Sequence, residues 1–169
     1  MAVATDDLTR VYAESDALAL AELVHRREVS PAELVETAIA VIESLNPRLN
    51  AVIHRLYEMG RKRAEEIDVS APFAGVPFLL KELASSWQGA PMTNSSAYLK
   101  DVVADSDSEV VRRIKKAGLV LVGKSNAPEN GWSIATEPKL FGRTVNPWNP
   151  DVTPGGSSGG AGAATATGI

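Results

Sequence analysis

The chain has no cysteine, which removes disulfide scaffolds, thiolate zinc sites and thiol nucleophiles together. Histidine is nearly absent as well. Only His25 and His54 occur, one on a helix flank beside Arg26 and one just after a strand, so surface or core roles are assigned to both. Acidic residues are scattered without the spacing of a zinc or calcium site, and neither a metal nor a cofactor is expected. The longest apolar runs, such as 118–123 (GLVLVG), are far too short to span a bilayer. The opening stretch MAVATDDLTR has neither a basic segment nor an apolar core, so it does not read as a signal peptide; a soluble, cytoplasmic protein is expected. A net charge of −4 gives no general pull toward nucleic acid or anionic membrane. What is present, 44% hydrophobic and 22% charged residues in a chain of 169, fits one globular domain with a real core.

Periodicity predicts a helix over 14–27, with Leu18, Leu20, Ala21, Leu23 and Val24 on one stripe. Ser30-Pro31-Ala32-Glu33 supplies an N-cap serine, a proline at the first helical position and a capping-box glutamate. The helix it opens should bury Leu34, Ala38, Val41, Ile42 and Leu45 and end before Pro47. Strands are expected at 50–53, 76–80 and 119–122, with a solvated helix over 57–67 between the first two. A further helix starts after Asp107 or Ser108 and stops at Gly118. Trp87 and Trp148 read as core or loop anchors. Helix followed by strand, twice over, predicts an α/β domain with a partly parallel sheet.

The segment GLVLVGKS (118–125) matches the phosphate-loop pattern GxxxxGK[ST] letter for letter. That motif works through a flexible loop whose amides cradle phosphate. Here the four intervening residues are themselves a strand, so their amides belong to a sheet ladder, and Pro128 falls where the next helix should establish itself. Strand plus turn is the reading preferred to nucleotide binding.

Two segments carry chemistry. In 73–83 (FAGVPFLLKEL), Lys81 sits within an apolar stretch, where a lysine snorkels, pairs with an acid such as Glu82, or acts as a base. In 153–169 (TPGGSSGGAGAATATGI), Ser157 and Ser158 are flanked by Gly155, Gly156, Gly159 and Gly160. Taken alone, such a loop holds a phosphate, caps a helix or presents a nucleophile. AGAATATGI then looks like the first turns of a small-residue helix without a stop signal, as in a cut chain.

From about Ser30 to Ile169 the chain resembles the amidase signature family. GVPFLLKEL, GAPMTNSS, LVGKSNAPE, FGRTVNPWNP and GGSSGG occur in the family's order. The resemblance implies a truncated α/β/α sandwich, with residues 1–169 as the N-terminal portion of a single domain ending before the nucleophile segment. It implies hydrolysis of a carboxylic amide to acid and amine by a Ser–cis-Ser–Lys triad through an acyl-serine. Lys81 is then the base and Ser157 the bridging serine after a cis peptide bond, with Ser158 and the four glycines supporting the loop. A neutral lysine near pH 7 requires its pKa to fall by roughly three, about 4 kcal/mol, and Phe78, Leu79 and Leu80 are expected to supply the desolvation. Trp132 and Ser133 are candidates to line the acyl pocket, with Asn126 and Glu129 bracing the loops. Glu82 stands where aspartate is common. The resemblance implies no cofactor, a small-molecule amide as substrate, a homodimer through the N-terminal helices, and the missing C-terminal part as partner. The attacking serine would lie beyond Ile169, so the chain alone is expected to be inactive. Alternative readings are a non-catalytic, truncated scaffold that binds a partner and the glutamine-hydrolysing subunit of an amidotransferase.

Overall fold

Three helices open the fold. The computed structural model describes residues 5–169, so residues 1–4, on which the reading of the opening stretch partly rests, lie outside the described residues. α1 (Thr5–Glu14) precedes the first helix expected from the sequence. α2 (Ala17–His25) starts at Asp16, whose carboxylate accepts from Ala19 N at 2.8 Å, and buries Leu20, Ala21 and Val24. Leu18, assigned to the same stripe, is 64% exposed. Two positions of an α-helix are about 200° apart, so burying Leu20 turns Leu18 outward.

The capping box forms: Ser30 Oγ accepts from Glu33 N at 3.2 Å, and Glu33 Oε2 accepts from Ser30 N at 2.8 Å. α3 (Pro31–Leu49) then buries Leu34, Val35, Ala38, Ile39 and Ile42, leaving Val41 and Leu45 half-buried. It passes through Pro47, where the sequence places its end. Asn46 explains the extra turn: its side chain accepts from Ala51 N and Val52 N and donates to Val52 O at 2.8 Å. These bonds fasten the last turn to the next strand and offset the one that proline cannot make. Ser30→Ala should cost about 1 kcal/mol, a fall in Tm of roughly 2–4 °C for a chain of this size. A thermal melt unchanged by the substitution would remove the box from the list of stabilising features.

β1 (Val52–Arg55), α4 (Tyr57–Glu65), β2 (Pro77–Lys81), α5 (Glu109–Lys116), β3 (Val120–Ser125) and α6 (Gly159–Ala166) follow. The sheet order is β1-β3-β2, with β3 antiparallel to β1 and parallel to β2. The parallel pair requires a long crossover, and residues 82–119, which contain α5, provide it. All six residues of β3 are buried because both faces of the strand are covered. Val120 and Val122 pack with Val35, Ile39 and Ile42, while Leu121 packs with Leu80, Trp87 and Val111. The expected α/β class, with a small mixed sheet, is the observed one. The segment matching the phosphate-loop pattern is β3 itself, which runs on through Lys124 and Ser125. Trp87 is buried, with Lys115 Nζ 4.5 Å from the centre of its ring. Trp148 is 86% exposed and anchors no core: Asn146 Oδ1 accepts from its backbone N–H in a turn that leaves the ring outside. Among the described residues no helix is long and apolar enough to cross a membrane.

Candidate active site

Strand alternation decides what Lys81 sees. In β2, Leu80 joins the cluster of Trp87 and Val111, whereas Leu79 packs toward Ala163 and Ala164 of α6. Lys81 follows the parity of Leu79 and ends the strand on the α6 side. There its Nζ donates to Ser157 Oγ at 2.8 Å. Desolvation lowers the amine's pKa below the usual lysine range. The expectation that Phe78 and Leu80 share in that desolvation is corrected by their packing with Trp87 and Val111 on the opposite face, which leaves Leu79 on the side of Lys81. Among the described residues Lys81 enters no ion pair.

Ser157 is held from several sides. The peptide bond between Gly156 and Ser157 is cis. Gly155 alone of the four flanking glycines has a positive φ, +86°, a conformation that favours glycine. The others are required by close approach: a Cβ on Gly156 would lie 2.7 Å from Ser133 O, and one on Gly160 2.7 Å from Ala51 O. Gly159 lies against Thr136, whose hydroxyl donates to Gly155 O at 2.8 Å and accepts from Gly159 N at 3.1 Å. Asn126 ties the start of α6 to the rest. Its carbonyl accepts from Gly160 N, its N–H donates to Ala51 O, and its Nδ2 donates to Gly142 O and Thr144 Oγ1. Ser158 is exposed and makes no side-chain cap; its carbonyl begins α6 by accepting from Gly162 N.

Trp132 is 90% exposed among the described residues, and the neighbouring Ser133 borders the serine loop through its carbonyl, opposite Gly156. Both line an open cleft of about 330 Å³ with Glu129, Ala135 and Lys139. Glu129 accepts from Ser96 Oγ at 2.7 Å and so braces the 83–96 segment. His25 Nε2 lies 3.0 Å from Ala71 O, and His54 stands edge-on to Phe141 with its Nε2 3.5 Å from Glu82 Oε1, so neither touches Lys81 or Ser157. Sequence reading assigned no role to Thr136 and missed the destination of Glu82. Glu82 faces away from Lys81 and pairs with Lys124, both nearly inaccessible to solvent. Burial would push its carboxyl up, but the His54 ring 3.5 Å away, the Lys124 charge and the bonds from Thr93 prevail and bring it down to about 2.

A family model described as Amidase matches residues 33–169. The chain belongs to this amidase family. The amidase chain is 46% identical over 164 residues to the 6-aminohexanoate-cyclic-dimer hydrolase of Paenarthrobacter ureafaciens, an overlap covering 96% of the chain and 33% of that protein. It is 44% identical over 156 residues to the lipoamidase of Enterococcus faecalis, covering 92% of the chain and 22% of that protein. Among solved structures, 6-aminohexanoate cyclic dimer hydrolase complexed with substrate matches with a TM-score of 0.87 at 47% identity, over 91% of this chain and 32% of that one. The amidase chain therefore spans about a third or less of the length of these relatives. Lys81, Ser157 and the residues that hold them all fall inside the matched region.

Proposed function

We propose that these residues form the N-terminal portion of an amidase domain that cleaves a carboxylic amide, linear or cyclic, to acid and amine. The observation that carries this reading is the 2.8 Å contact between the desolvated Lys81 amine and Ser157 Oγ. With Lys81 neutral, the same contact lets its lone pair take the Ser157 proton while Ser157 takes one from an attacking serine, as a weak nucleophile requires. That serine is to come from outside residues 1–169. Its oxygen bonds to the amide carbon, the C–N bond breaks, and the relayed proton returns to the departing nitrogen. Water then attacks the acyl-serine by the same relay in reverse, releasing the acid and restoring the hydroxyl. The cleft beside Trp132 and Ser133 is assigned to the acyl group. The identity to 6-aminohexanoate-cyclic-dimer hydrolase makes cyclic and linear ω-amino acid amides the first substrates to try.

The test mixes the chain with a polypeptide corresponding to the remaining two-thirds of such a relative and follows amine release from an amide panel. Amine release by the mixture, and none by either part, is the expected result. Association without hydrolysis of any amide would favour the scaffold reading, and hydrolysis by the chain alone would place the nucleophile within residues 1–169.

A further inference from the structure

Beside the Lys81–Ser157 contact lies a second charged assembly to which the amidase reading assigns no task. Glu82 follows Lys81 in sequence, yet its carboxylate is wholly buried on the other side of the sheet's edge, the side of Leu80. Lys124, paired in register with Leu80, reaches the same place and is 1% exposed. The groups facing Glu82 come from every neighbouring element: His54 from β1, Lys124 from β3, and Thr93 from the crossover. Thr93 donates to Glu82 Oε1 twice, from its backbone N–H at 2.6 Å and its hydroxyl at 2.7 Å. Lys124 Nζ also donates to Pro91 O at 2.7 Å. The pair therefore fastens the ends of β2 and β3 to the 90–93 stretch.

A fastening could be built from apolar or neutral groups, and buried ion pairs are commonly no more stabilising than such replacements. Here the pair's charge balance matters because of what stands next to it. A lone carboxylate behind Lys81 would favour the ammonium form, and a lone ammonium would disfavour it. On its own side, among the described residues, Lys81 donates to the Ser157 hydroxyl and enters no ion pair. We infer that Glu82 and Lys124 are positioning residues for Lys81: a mutually neutralised pair that fixes the end of β2 while leaving no net charge behind the amine. This inference rests on the amidase reading, in which Lys81 must be neutral to act.

The experiment is competitive labelling of the chain's amines with trace acetic anhydride across the neutral to alkaline range. Mass spectrometry of the Lys81 peptide then gives that amine's protonation midpoint. Lys124→Met should raise the midpoint and Glu82→Gln should lower it. Each shift should be on the order of one pH unit, the scale of one unit charge acting through a partly screened protein interior. The double variant Glu82→Gln/Lys124→Met should return it to the wild-type value. A purely structural role moves both single variants the same way, toward an ordinary lysine, as water reaches the amine. Parallel shifts, or none, overturn the inference. If a single variant does not fold, the double variant decides, because a midpoint displaced from wild type there has the same meaning. A wild-type midpoint equal to that of an exposed lysine would instead count against the amidase reading, and the opposed shifts would still decide this one.

Discussion

Lys81→Ala should abolish the amine release proposed for the complemented chain, with a fall in kcat on the order of 10⁴-fold. The substitution removes the group that takes the first proton, and no other described side chain stands ready to replace it: His25 and His54 are held elsewhere, and Ser157 has no second basic partner. Lys81→Arg should be nearly as inactive. It keeps a long basic side chain, but a guanidinium stays protonated where the reaction needs a neutral amine, and it cannot serve as the base. KM should change little in either variant, since the amine is directed at Ser157. Steady-state kinetics on a chromogenic amide would show this. An arginine variant retaining a tenth or more of the activity would mean that Lys81 contributes charge and position, and that the proton goes elsewhere.

The second large effect concerns stability. Gly160→Val should cost about 3 kcal/mol or more, lowering Tm by roughly 6–12 °C for a chain of this length. The neighbours that a side chain would meet are backbone atoms of Asn126 and Ala51, which cannot swing aside as a flexible side chain does. Relief would require α6 to lift from β2 and β3, exposing Ala163 and Ala164 and breaking the bond from Gly160 N to Asn126 O. Gly162, two residues on, is the control. It is exposed on α6 with open space around its Cβ position, so Gly162→Ala should gain roughly 0.5–1 kcal/mol by restricting the unfolded chain. Equal effects at the two positions, read by thermal melts, would show that helix propensity and not close approach governs this segment.

The parts of the fold written in local chemistry were legible in the sequence. Ser30 and Glu33 announce α3 because a capping box involves four consecutive residues, and LVLV announces β3 because a doubly covered strand is continuously apolar. The meeting of Lys81 with Ser157 followed from resemblance alone, since nothing local relates two residues 76 apart. Two of the errors have one cause in common. Pro47 stayed inside its helix because Asn46 binds the following strand, and β3 continued through Lys124 because Glu82 and Pro91 receive its amine. In both cases a distant polar partner outweighed a local signal. Leu18 was a different fault, a stripe drawn wider than the buried face of its helix. Thr136 was illegible because a buried threonine bridging two glycines of the serine loop differs in no local respect from any other.

Asn126 has a consequence for how the chain reaches this state. Its backbone and amide join four stretches: the entry to β1, the exit of β3, the extended run around Gly142 and Thr144, and the first turn of α6. None of these connections is made between near neighbours, so each closes a long loop, and loop entropy must be surrendered before any bond rewards it. The helices and the Ser30 cap can form early from local contacts. The pocket around Ser157 cannot, and it takes shape only once the two ends of the matched region are already together.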